Sequence, residues 1–495
     1  MKVIVIGGGI SGLTAGIYAL QAGFDAEIYE SHNVVGGMCA QWQRKGSICT
    51  SAVHWMMGTK NGSDLHEIWK TIEAIDHNTE IFTLDYISAC LNENAYCYLY
   101  ADIEKLEAEL LQLSPQDEDA IKELICEIKI YQKLPIPAGK PIDLMEPMEK
   151  AISFAPYIKA EKRTSLNNIS VAEYAERFQS PIIRHLLLSV VPDSRLNASM
   201  LMIWLASNCN GDTAFPLDGF FAMAKRMEQK FLSLGGKIYF NAPVKKIIVK
   251  EGTATGIILA NGSEVNADYI IPTVSPDILL KNLLDNQFSD VYFEQRFTSP
   301  DRFYTPALTL VNLNVNADIS KFPHTLVVKT KQPLFINKTK INYLKINHYA
   351  FSSTFCKEGK TLVQVVIQEQ EFDYWKNLKT TSETEYQKIK ENIAASIIEE
   401  IETIYPEIKG KTKLLDVATP LTLQRYCHSY NGAYLSFCAM DGGQRENHQG
   451  TICGVKNIYL AGQWVFQDGG LPMAAIAGKF AVQRICNQEN INIDN

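Results

Sequence analysis

The chain has 495 residues, a formal net charge of −8 and no lysine- or arginine-rich cluster. The length predicts two or more domains, and the charge argues against a nucleic-acid partner, which needs a basic surface. The eleven cysteines form no CxxC pair, which argues against a metal site and a disulfide framework and is typical of a reducing cytoplasm.

The first thirty residues predict a strand, a tight turn, a helix and a second strand. The apolar run 2–6 leads directly into Gly7-Gly8-Gly9-Ile10-Ser11-Gly12. A helix is expected over residues 13–21, and residues 26–30 are expected to form a strand that ends on an acid. This order is typical of the unit that opens a dinucleotide-binding domain.

The spacing of the glycines supports the same interpretation. Gly7 allows the sharp turn, Gly9 lets a pyrophosphate approach bare backbone, and Gly12 lets the helix pack close to the strand. The helix N-terminus offers unpaired N–H groups to the phosphates. Glu30 follows Gly12 by 18 residues, close to the offset of about 20 expected for the acid that binds a ribose hydroxyl.

The stretch from residue 60 to about 210 is predicted to be mainly helical. Two strongly apolar segments, 182–191 and 196–205, stand near its end. One interpretation is a pair of buried core helices. The other is a helical lid whose apolar face lines a channel for a lipid-like substrate.

The next blocks alternate between short strands and single helices. A helix over 220–234 ends at a glycine pair, and a second long helix is expected over 383–404. Asn261-Gly262 is a strong hairpin signal. The predicted strands cover residues 237–240, 244–250, 254–260, 263–265, 267–272, 307–315, 325–328, 340–347 and 360–368.

The C-terminal segment is predicted to return to the first sheet. Residues 457–462 are expected to form a core strand that ends in glycine, and a loop leads to a helix over 473–486. Pro472 is suited to the first position of that helix.

The pattern resembles the FAD-dependent phytoene dehydrogenase-like oxidoreductases. That family includes carotenoid desaturases, carotenoid isomerases and retinol saturases, and it is distantly related to amine oxidases. Its members typically carry the glycine turn and acid described above, followed by a Gly-Gly pair and a His-Trp. In this chain these are Gly36-Gly37 and His54-Trp55.

One segment departs from the family pattern. Many relatives have an aromatic-Asp-Gly-Gly run just before the histidine, where this chain has Cys49-Thr50-Ser51-Ala52. If this loop lies at the flavin, as the resemblance implies, a carboxylate is missing there and bulkier side chains replace glycine. We therefore do not transfer any particular relative's substrate to this protein.

The resemblance implies an α/β fold with two domains. A Rossmann-type FAD-binding domain would be assembled from the discontinuous segments 1–75, 212–290 and 445–495. A mixed α+β substrate domain would comprise a helical part with the lid, 76–211, and a sheet part, 291–444.

The expected cofactor is FAD. A single glycine motif follows a strand, so no second domain for a nicotinamide cofactor is predicted. The terminal loop carries no cysteine, which favours non-covalent binding. With the glycine turn, the resemblance implies the FAD-binding residues Gly7, Gly9, Ile10, Ser11, Gly12, Glu30, Gly36, Gly37, Met38, Val244, Gly462, Gly469, Leu471, Pro472 and Met473.

Three functions stay open. The first is an oxidoreductase that acts on an apolar, unsaturated, isoprenoid- or lipid-like substrate by hydride transfer at flavin N5, through desaturation, saturation or isomerisation. The second is an amine oxidase-like flavoenzyme. The third is a non-enzymatic escort of prenylated proteins with the same architecture, against which the intact glycine set argues.

The catalytic candidates are few, because flavin chemistry needs few protein acids or bases. His54 is expected near the flavin or, equally, as a hydrogen-bonded core histidine. Arg425 and Tyr426 either anchor a polar substrate end or form an ordinary surface pair. Trp464 and Asp468 are candidates for the flavin edge, and Trp464 can equally be core packing.

The expected location is the cytoplasm. No stretch of about 18 apolar residues is present to span a bilayer, and the short N-terminal apolar run enters the glycine turn, so we interpret it as a core strand and not as a signal. Peripheral membrane contact and the oligomeric state stay open.

Overall fold

The structure, a computed structural model, places two sheets at the centre of the molecule and covers both with helices. The predicted ranges 76–211, 291–444 and 445–495 include positions outside the described part of the chain. The described residues, with the side chain at 167 excepted, are 1–93, 95–164, 166–357, 359–440, 443 and 445–492.

The strands are short in the N-terminal half and longer in the second sheet. In chain order they are β1 (Lys2–Ile6), β2 (Asp25–Tyr29), β3 (Gln41–Arg44), β4 (Ser47–Thr50), β5 (Met56–Met57), β6 (Ile81–Thr83), β7 (Tyr86–Asn92), β8 (Ala95–Tyr100), β9 (Thr213–Pro216), β10 (Lys237–Tyr239), β11 (Val244–Lys250), β12 (Thr253–Leu259), β13 (Glu264–Asn266), β14 (Tyr269–Pro272), β15 (Phe303–Tyr304), β16 (Ala307–Val315), β17 (Thr325–Ile336), β18 (Thr339–His348), β19 (Cys356–Lys357), β20 (Lys360–Glu369), β21 (Thr412–Ala418) and β22 (Cys438–Ala439).

The helices connect the strands and cover both sheets. In chain order they are α1 (Ile10–Gln21), α2 (Asp64–Thr71), α3 (Ile103–Leu113), α4 (Glu118–Tyr131), α5 (Pro147–Thr164), α6 (Val171–Ala175), α7 (Pro181–Leu188), α8 (Ala198–Cys209), α9 (Phe220–Ser233), α10 (Val291–Thr298), α11 (Phe372–Thr381), α12 (Glu383–Ile404), α13 (Pro420–Cys427) and α14 (Leu471–Gln488).

The first sheet is parallel and has the order β10-β2-β1-β14. β1 lies inside it, with Val3 opposite Ala26 on one side and Tyr269 on the other. Val3, Ile4 and Val5 are fully buried, as expected for a parallel strand whose two faces are both covered by helices. The predicted Rossmann-type sheet is therefore confirmed.

The prediction of a core strand over residues 457–462 is wrong, although the segment lies where the strand is expected. The segment lies beside β14 and exchanges backbone hydrogen bonds with it, but it forms a single bridge, Ile270 to Ile458, and no regular strand. Pro272 ends β14 and has no N–H to donate. The ladder therefore cannot extend regularly along both partners.

The second sheet is mixed and has the order β21-β16-β20-β18-β17-β7-β8. One of its faces packs on α12, whose Ile393, Ala394, Ile397 and Ile401 join a buried core with alternate residues of the strands. The opposite face points toward α7, α8 and the loops that follow the strands of the first sheet. This second face forms the floor of the cavity described below.

The prediction that residues 60–210 are mainly helical is wrong for the segment that contains β6, β7 and β8. β7 and β8 form a hairpin, and Leu326 of β17 pairs in parallel with Ala89 of β7, so the hairpin extends the second sheet. In β8, Cys97 and Leu99 enter one core, and Tyr96 and Tyr98 contact another. This two-residue alternation is the signal of a strand with two covered faces.

The rest of this region is mainly helical, as predicted. Ser170 and Glu173 form a capping box at the start of α6. The two apolar segments become α7 and α8, which lie over the second sheet. Among the described residues, no helix combines the length and the apolar composition that a bilayer span requires.

Candidate functional site

The glycine turn is imposed by the packing of the protein itself. Gly7 has a φ of +106°, and a Cβ atom there would lie 2.6 Å from Oγ1 of Thr273. A Cβ atom at Gly12 would overlap the carbonyl oxygen of Gly7. The sharp turn and the close approach of helix to strand are therefore as predicted.

Gly9 differs, because the protein leaves space beside it. Its φ of −73° suits any residue, and the nearest atom to a Cβ there is Cα of Gly37, at 3.9 Å. Gly36 donates its N–H to the carbonyl of Gly8 at 3.0 Å. The Gly36-Gly37 pair thus extends the glycine turn into one wall of bare backbone, which Met38 continues along the cavity.

Ser11 supplies an unsatisfied donor at the start of α1. Within the described part of the chain its Oγ is buried and has no hydrogen-bond partner, and both Ile10 and Ser11 line the cavity. The first turn of α1 carries no acid, so its N–H groups and dipole stay available to an anion. The donor set therefore fits a pyrophosphate.

Glu30 lies at the end of β2 beside the glycine turn. Its carboxylate accepts hydrogen bonds from the N–H of Gly8 at 2.6 Å, the N–H of His32 at 2.8 Å and the hydroxyl of Ser31 at 3.1 Å. Val244, at the start of β11, lines the same part of the cavity. The structure thus brings together the residues expected at the adenosine end of the cofactor.

The C-terminal loop and α14 form the opposite wall. Gly462, Gly469 and Gly470 all have positive φ values, and α14 begins at Leu471, two residues before its predicted start. Its first turn, with Pro472 and Met473, carries no acid. The positive end of the helix dipole therefore points into the cavity.

These walls and the second sheet enclose one continuous cavity of about 1630 Å³. Typical ligand pockets measure about 300–1,000 Å³, so this cavity has room for a dinucleotide and a further molecule. We call the part between α7, α8 and the second sheet the chamber. Its apolar lining includes Leu188, Val191, Met200, Ile203, Trp204, Leu308, Val327 and Val366.

The segment that departs from the family pattern also reaches the cavity. Ser51 and Ala52 line it, and the carbonyl of Thr50 accepts a hydrogen bond from Nε2 of Gln364 at 2.9 Å. Gln364 also donates to Oδ1 of Asn312 at 2.9 Å. The loop is therefore tied to the sheet by side chains of β16 and β20.

His54 lines the cavity where the chamber begins. Its Nδ1 lies 3.3 Å from the hydroxyl of Tyr349, and its Nε2 is buried without a hydrogen-bond partner among the described residues. Burial lowers the pKa of His54 to about 3, and the nearby Lys345 ammonium adds to the effect. His54 is therefore neutral at physiological pH and cannot act as a cationic acid there.

A pH-dependent loss of stability follows from this neutral histidine. Between pH 6.5 and pH 3 the unfolded chain binds a proton that folded His54 does not, so the free energy of unfolding falls as the pH falls, by up to about 1.4 kcal/mol per unit. His54→Gln should reduce the loss measured by urea denaturation between pH 6.5 and 5 by about 1–2 kcal/mol. The control variant His77→Gln, at an exposed position, should show the same fall in unfolding free energy as the wild type. An equal fall in the wild type and in His54→Gln would contradict the claim that His54 is buried as a neutral ring.

Of the neighbouring residues Arg425 and Tyr426, only Tyr426 belongs to the cavity lining. Tyr426 lines the cavity, although 45 % of its surface is exposed. Arg425 is exposed and lies outside the cavity lining, with its guanidinium 5.3 Å from the ring of Tyr426. Their arrangement is that of a surface pair at the rim near His32, not of an anchor inside the chamber.

Trp464 and Asp468 both line the cavity. Trp464 is buried and packs edge-on against Phe437, so it also serves the core. Asp468 pairs with Arg445 at 3.3 Å, and burial raises the pKa of its carboxyl. Asp468 therefore closes the cavity as part of an ion pair.

Sequence reasoning missed Lys345. This residue lies in the middle of β18 and lines the chamber. Burial lowers the pKa of its ammonium to about 8. The chamber therefore contains a basic group close to His54, where the sequence predicts only an ordinary strand.

The comparisons with known proteins agree with this geometry. The model of the family "Flavin containing amine oxidoreductase" matches residues 10–486. The chain is 22 % identical to a chloroplastic prolycopene isomerase of Daucus carota, over 97 % of this chain and 79 % of that protein. It is 23 % identical to an all-trans-retinol 13,14-reductase of Danio rerio, over 100 % of this chain and 87 % of that protein.

A solved structure shows the same fold. An oxidoreductase from Methanosarcina mazei superposes with a TM-score of 0.59 at 18 % identity, over 98 % of this chain and all of that chain. The predicted fold class and the predicted relation to carotenoid- and retinol-modifying flavoenzymes are confirmed. The chain belongs to the flavin containing amine oxidoreductase family, and it is an FAD-dependent oxidoreductase related to the carotenoid isomerases and retinol reductases.

Proposed function

We propose that the protein binds FAD non-covalently in the glycine-lined part of the cavity and converts an apolar, unsaturated, isoprenoid- or lipid-like substrate in the chamber. The observation that supports this most is the continuity of the cavity. It joins the bare backbone of Gly9 and the Ser11 hydroxyl, which has no hydrogen-bond partner among the described residues, to an apolar space under α8. When bound, FAD supplies hydride transfer at flavin N5. Desaturation, saturation and isomerisation all require the substrate to lie beside the flavin ring.

The chain's own residues hold the cofactor and orient the substrate. In this proposal Gly9, Ser11 and the start of α1 bind the pyrophosphate, Glu30 binds the ribose, and α14 presents its positive end to the ring. No cysteine lies between Gly462 and Met473, which supports non-covalent binding. The further contacts are proposed for Gly7, Ile10, Gly12, Gly36, Gly37, Met38, Val244, Gly462, Gly469, Leu471, Pro472 and Met473.

The sheet order supports the proposed division into domains. The strands of the first sheet all lie within 1–75 and 212–290, and those of the second sheet lie within 76–211 and 291–444. We therefore keep 1–75, 212–290 and 445–495 as the FAD-binding domain and assign the rest to the substrate domain.

A peripheral membrane contact through α5 would suit such a substrate. This helix exposes Met148 and Ile152, at 71 % and 67 %, while its Phe154, Tyr157 and Ala160 line the cavity. One helix thus has an apolar outer side and a side that belongs to the cavity wall.

The two alternative functions find less support. A protonated amine in the chamber would be repelled by the Lys345 ammonium, which counts against an amine oxidase. An escort of prenylated proteins does not need the space beside Gly9 or the Ser11 hydroxyl, which no other described residue satisfies.

The proposal is tested with the purified protein. We expect a flavin absorption spectrum, release of one FAD per chain on acid precipitation, and anaerobic conversion of retinol or a carotene, detected by chromatography. Flavin reduced beforehand with dithionite supplies the hydride for saturation or supports isomerisation, and oxidised flavin accepts the hydride of a single-turnover desaturation. Formation of hydrogen peroxide with amines and no conversion of polyenes would favour the amine oxidase. A colourless protein that cannot be reconstituted with FAD would contradict both enzymatic functions.

A further inference from the structure

Lys345 lies between apolar residues on the face of the second sheet that lines the chamber. Its neighbours across the sheet are Val327 of β17 and Val366 of β20, and both valines line the chamber. Leu344 and Ile346, before and after it, belong to the core on the opposite face of the sheet. The alternation of the strand therefore directs the Lys345 side chain into the chamber.

The ammonium of Lys345 has no acidic partner among the described residues. Its Nζ lies 3.4 Å from the carbonyl oxygen of Ser189, at the end of α7, and no described carboxylate lies within 4.0 Å. Two arginines of the same region, in contrast, have acidic partners: Arg445 pairs with Asp468 at 3.3 Å, and Arg195 pairs with Asp193 at 2.7 Å.

The cavity-lining carboxylates Asp193 and Asp468 are paired with arginines, and three other titratable groups of this region carry no negative charge at neutral pH. Burial lowers the pKa of His54 to about 3 and that of His185 to about 4, so both rings are neutral. Burial raises the pKa of the Tyr349 hydroxyl, which therefore stays protonated. An isolated charge in apolar surroundings is costly unless a ligand pairs with it.

We propose that Lys345 binds a carboxylate at one end of the substrate, so that the enzyme's substrates are unsaturated long-chain carboxylic acids. This inference rests on the proposed function and specifies its substrate class. The apolar walls of the chamber hold the unsaturated chain, and the ammonium forms a charge-assisted hydrogen bond with the carboxylate. The pair also compensates the cost of burying either charge alone.

The test uses the FAD-loaded protein and three probes of one skeleton: retinoic acid, its methyl ester and retinol. Binding is measured at pH 7 by quenching of tryptophan fluorescence, without turnover. We expect retinoic acid to bind at least tenfold more tightly than the ester or the alcohol. The preference should fall as the pH rises above 8, where the free ammonium loses its proton.

Variants locate the effect. Lys345→Met should abolish the preference for the acid, Lys345→Arg should keep part of it, and Lys329→Met, at an exposed position of β17, should bind like the wild type. Thermal unfolding and the flavin spectrum show whether each variant is folded and loaded. The proposal would be overturned if Lys345→Met still preferred retinoic acid. It would also be overturned if this variant changed the flavin spectrum but left the affinity for retinoic acid unchanged.

The failure of this inference is distinguishable from the failure of the proposed function. Equal affinity of the wild type for all three probes would overturn the role of Lys345 and leave an apolar polyene substrate in place. Absence of binding by all three would contradict both.

Discussion

Gly9→Ala is expected to weaken flavin binding strongly and to leave the fold intact. The alanine Cβ would have 3.9 Å to its nearest protein atom, and the backbone at Gly9 has a φ that alanine adopts readily. The unfolding free energy of the flavin-free protein should therefore stay equal or rise by about 0.4–1 kcal/mol. The methyl group would instead occupy the space that we assign to the pyrophosphate.

The measurement is the FAD dissociation constant together with denaturation of the flavin-free protein. We expect the constant to rise by at least about 100-fold, which corresponds to a loss of about 2.7 kcal/mol. Gly12→Ala is the contrasting variant, because its Cβ would overlap the Gly7 carbonyl and should reduce both stability and flavin binding. Wild-type FAD affinity in Gly9→Ala would contradict the assigned place of the pyrophosphate.

Gly478→Val is expected to separate two helices that both point at the cofactor. Gly478 lies in α14 where it crosses α1, and a Cβ there would lie 2.5 Å from the Ser11 carbonyl oxygen and 2.9 Å from Cβ of Thr14. These atoms belong to the backbone or to a short side chain, so they cannot move aside. Overpacking of this kind costs about 1–3 kcal/mol.

The variant should therefore lower the unfolding free energy by about that amount and also weaken FAD binding, because the N-termini of α1 and α14 lose their relative position. Denaturation and flavin titration measure the two effects. Asn487→Val, at an exposed position of the same helix, should change neither by more than about 0.5 kcal/mol. A stable Gly478→Val variant with normal flavin affinity would show that the crossing does not position the cofactor.

The sequence predicts the cofactor side of the molecule well because its signals are local. Gly12 is constrained by the carbonyl oxygen of Gly7 within the same turn, and the Glu30 carboxylate accepts a hydrogen bond from Gly8 at 2.6 Å. A strand, turn and helix that follow one another in the chain can be recognised from spacing alone. Of the residues predicted from spacing, Gly7, Gly9 and Glu30 line the cavity. Val244 and the C-terminal glycines, which the family resemblance implies, line it too.

The substrate side could not be predicted equally well, because non-local contacts form it. β7 and β8 join the second sheet through β17, more than two hundred residues away. Lys345 alternates with the core residues Leu344 and Ile346, a pattern that normally places the lysine in solvent. The placement of α7 and α8 over that face makes this lysine a half-buried residue of the chamber.

The most direct test of the whole account is a crystal structure of the protein with FAD and retinol bound. We predict the pyrophosphate against Gly9 and the Ser11 hydroxyl, and the polyene in the chamber between α8 and the face of β18 that carries Lys345. A flavin bound elsewhere, or a polyene outside the chamber, would contradict the claim that one cavity holds both the cofactor and an apolar substrate.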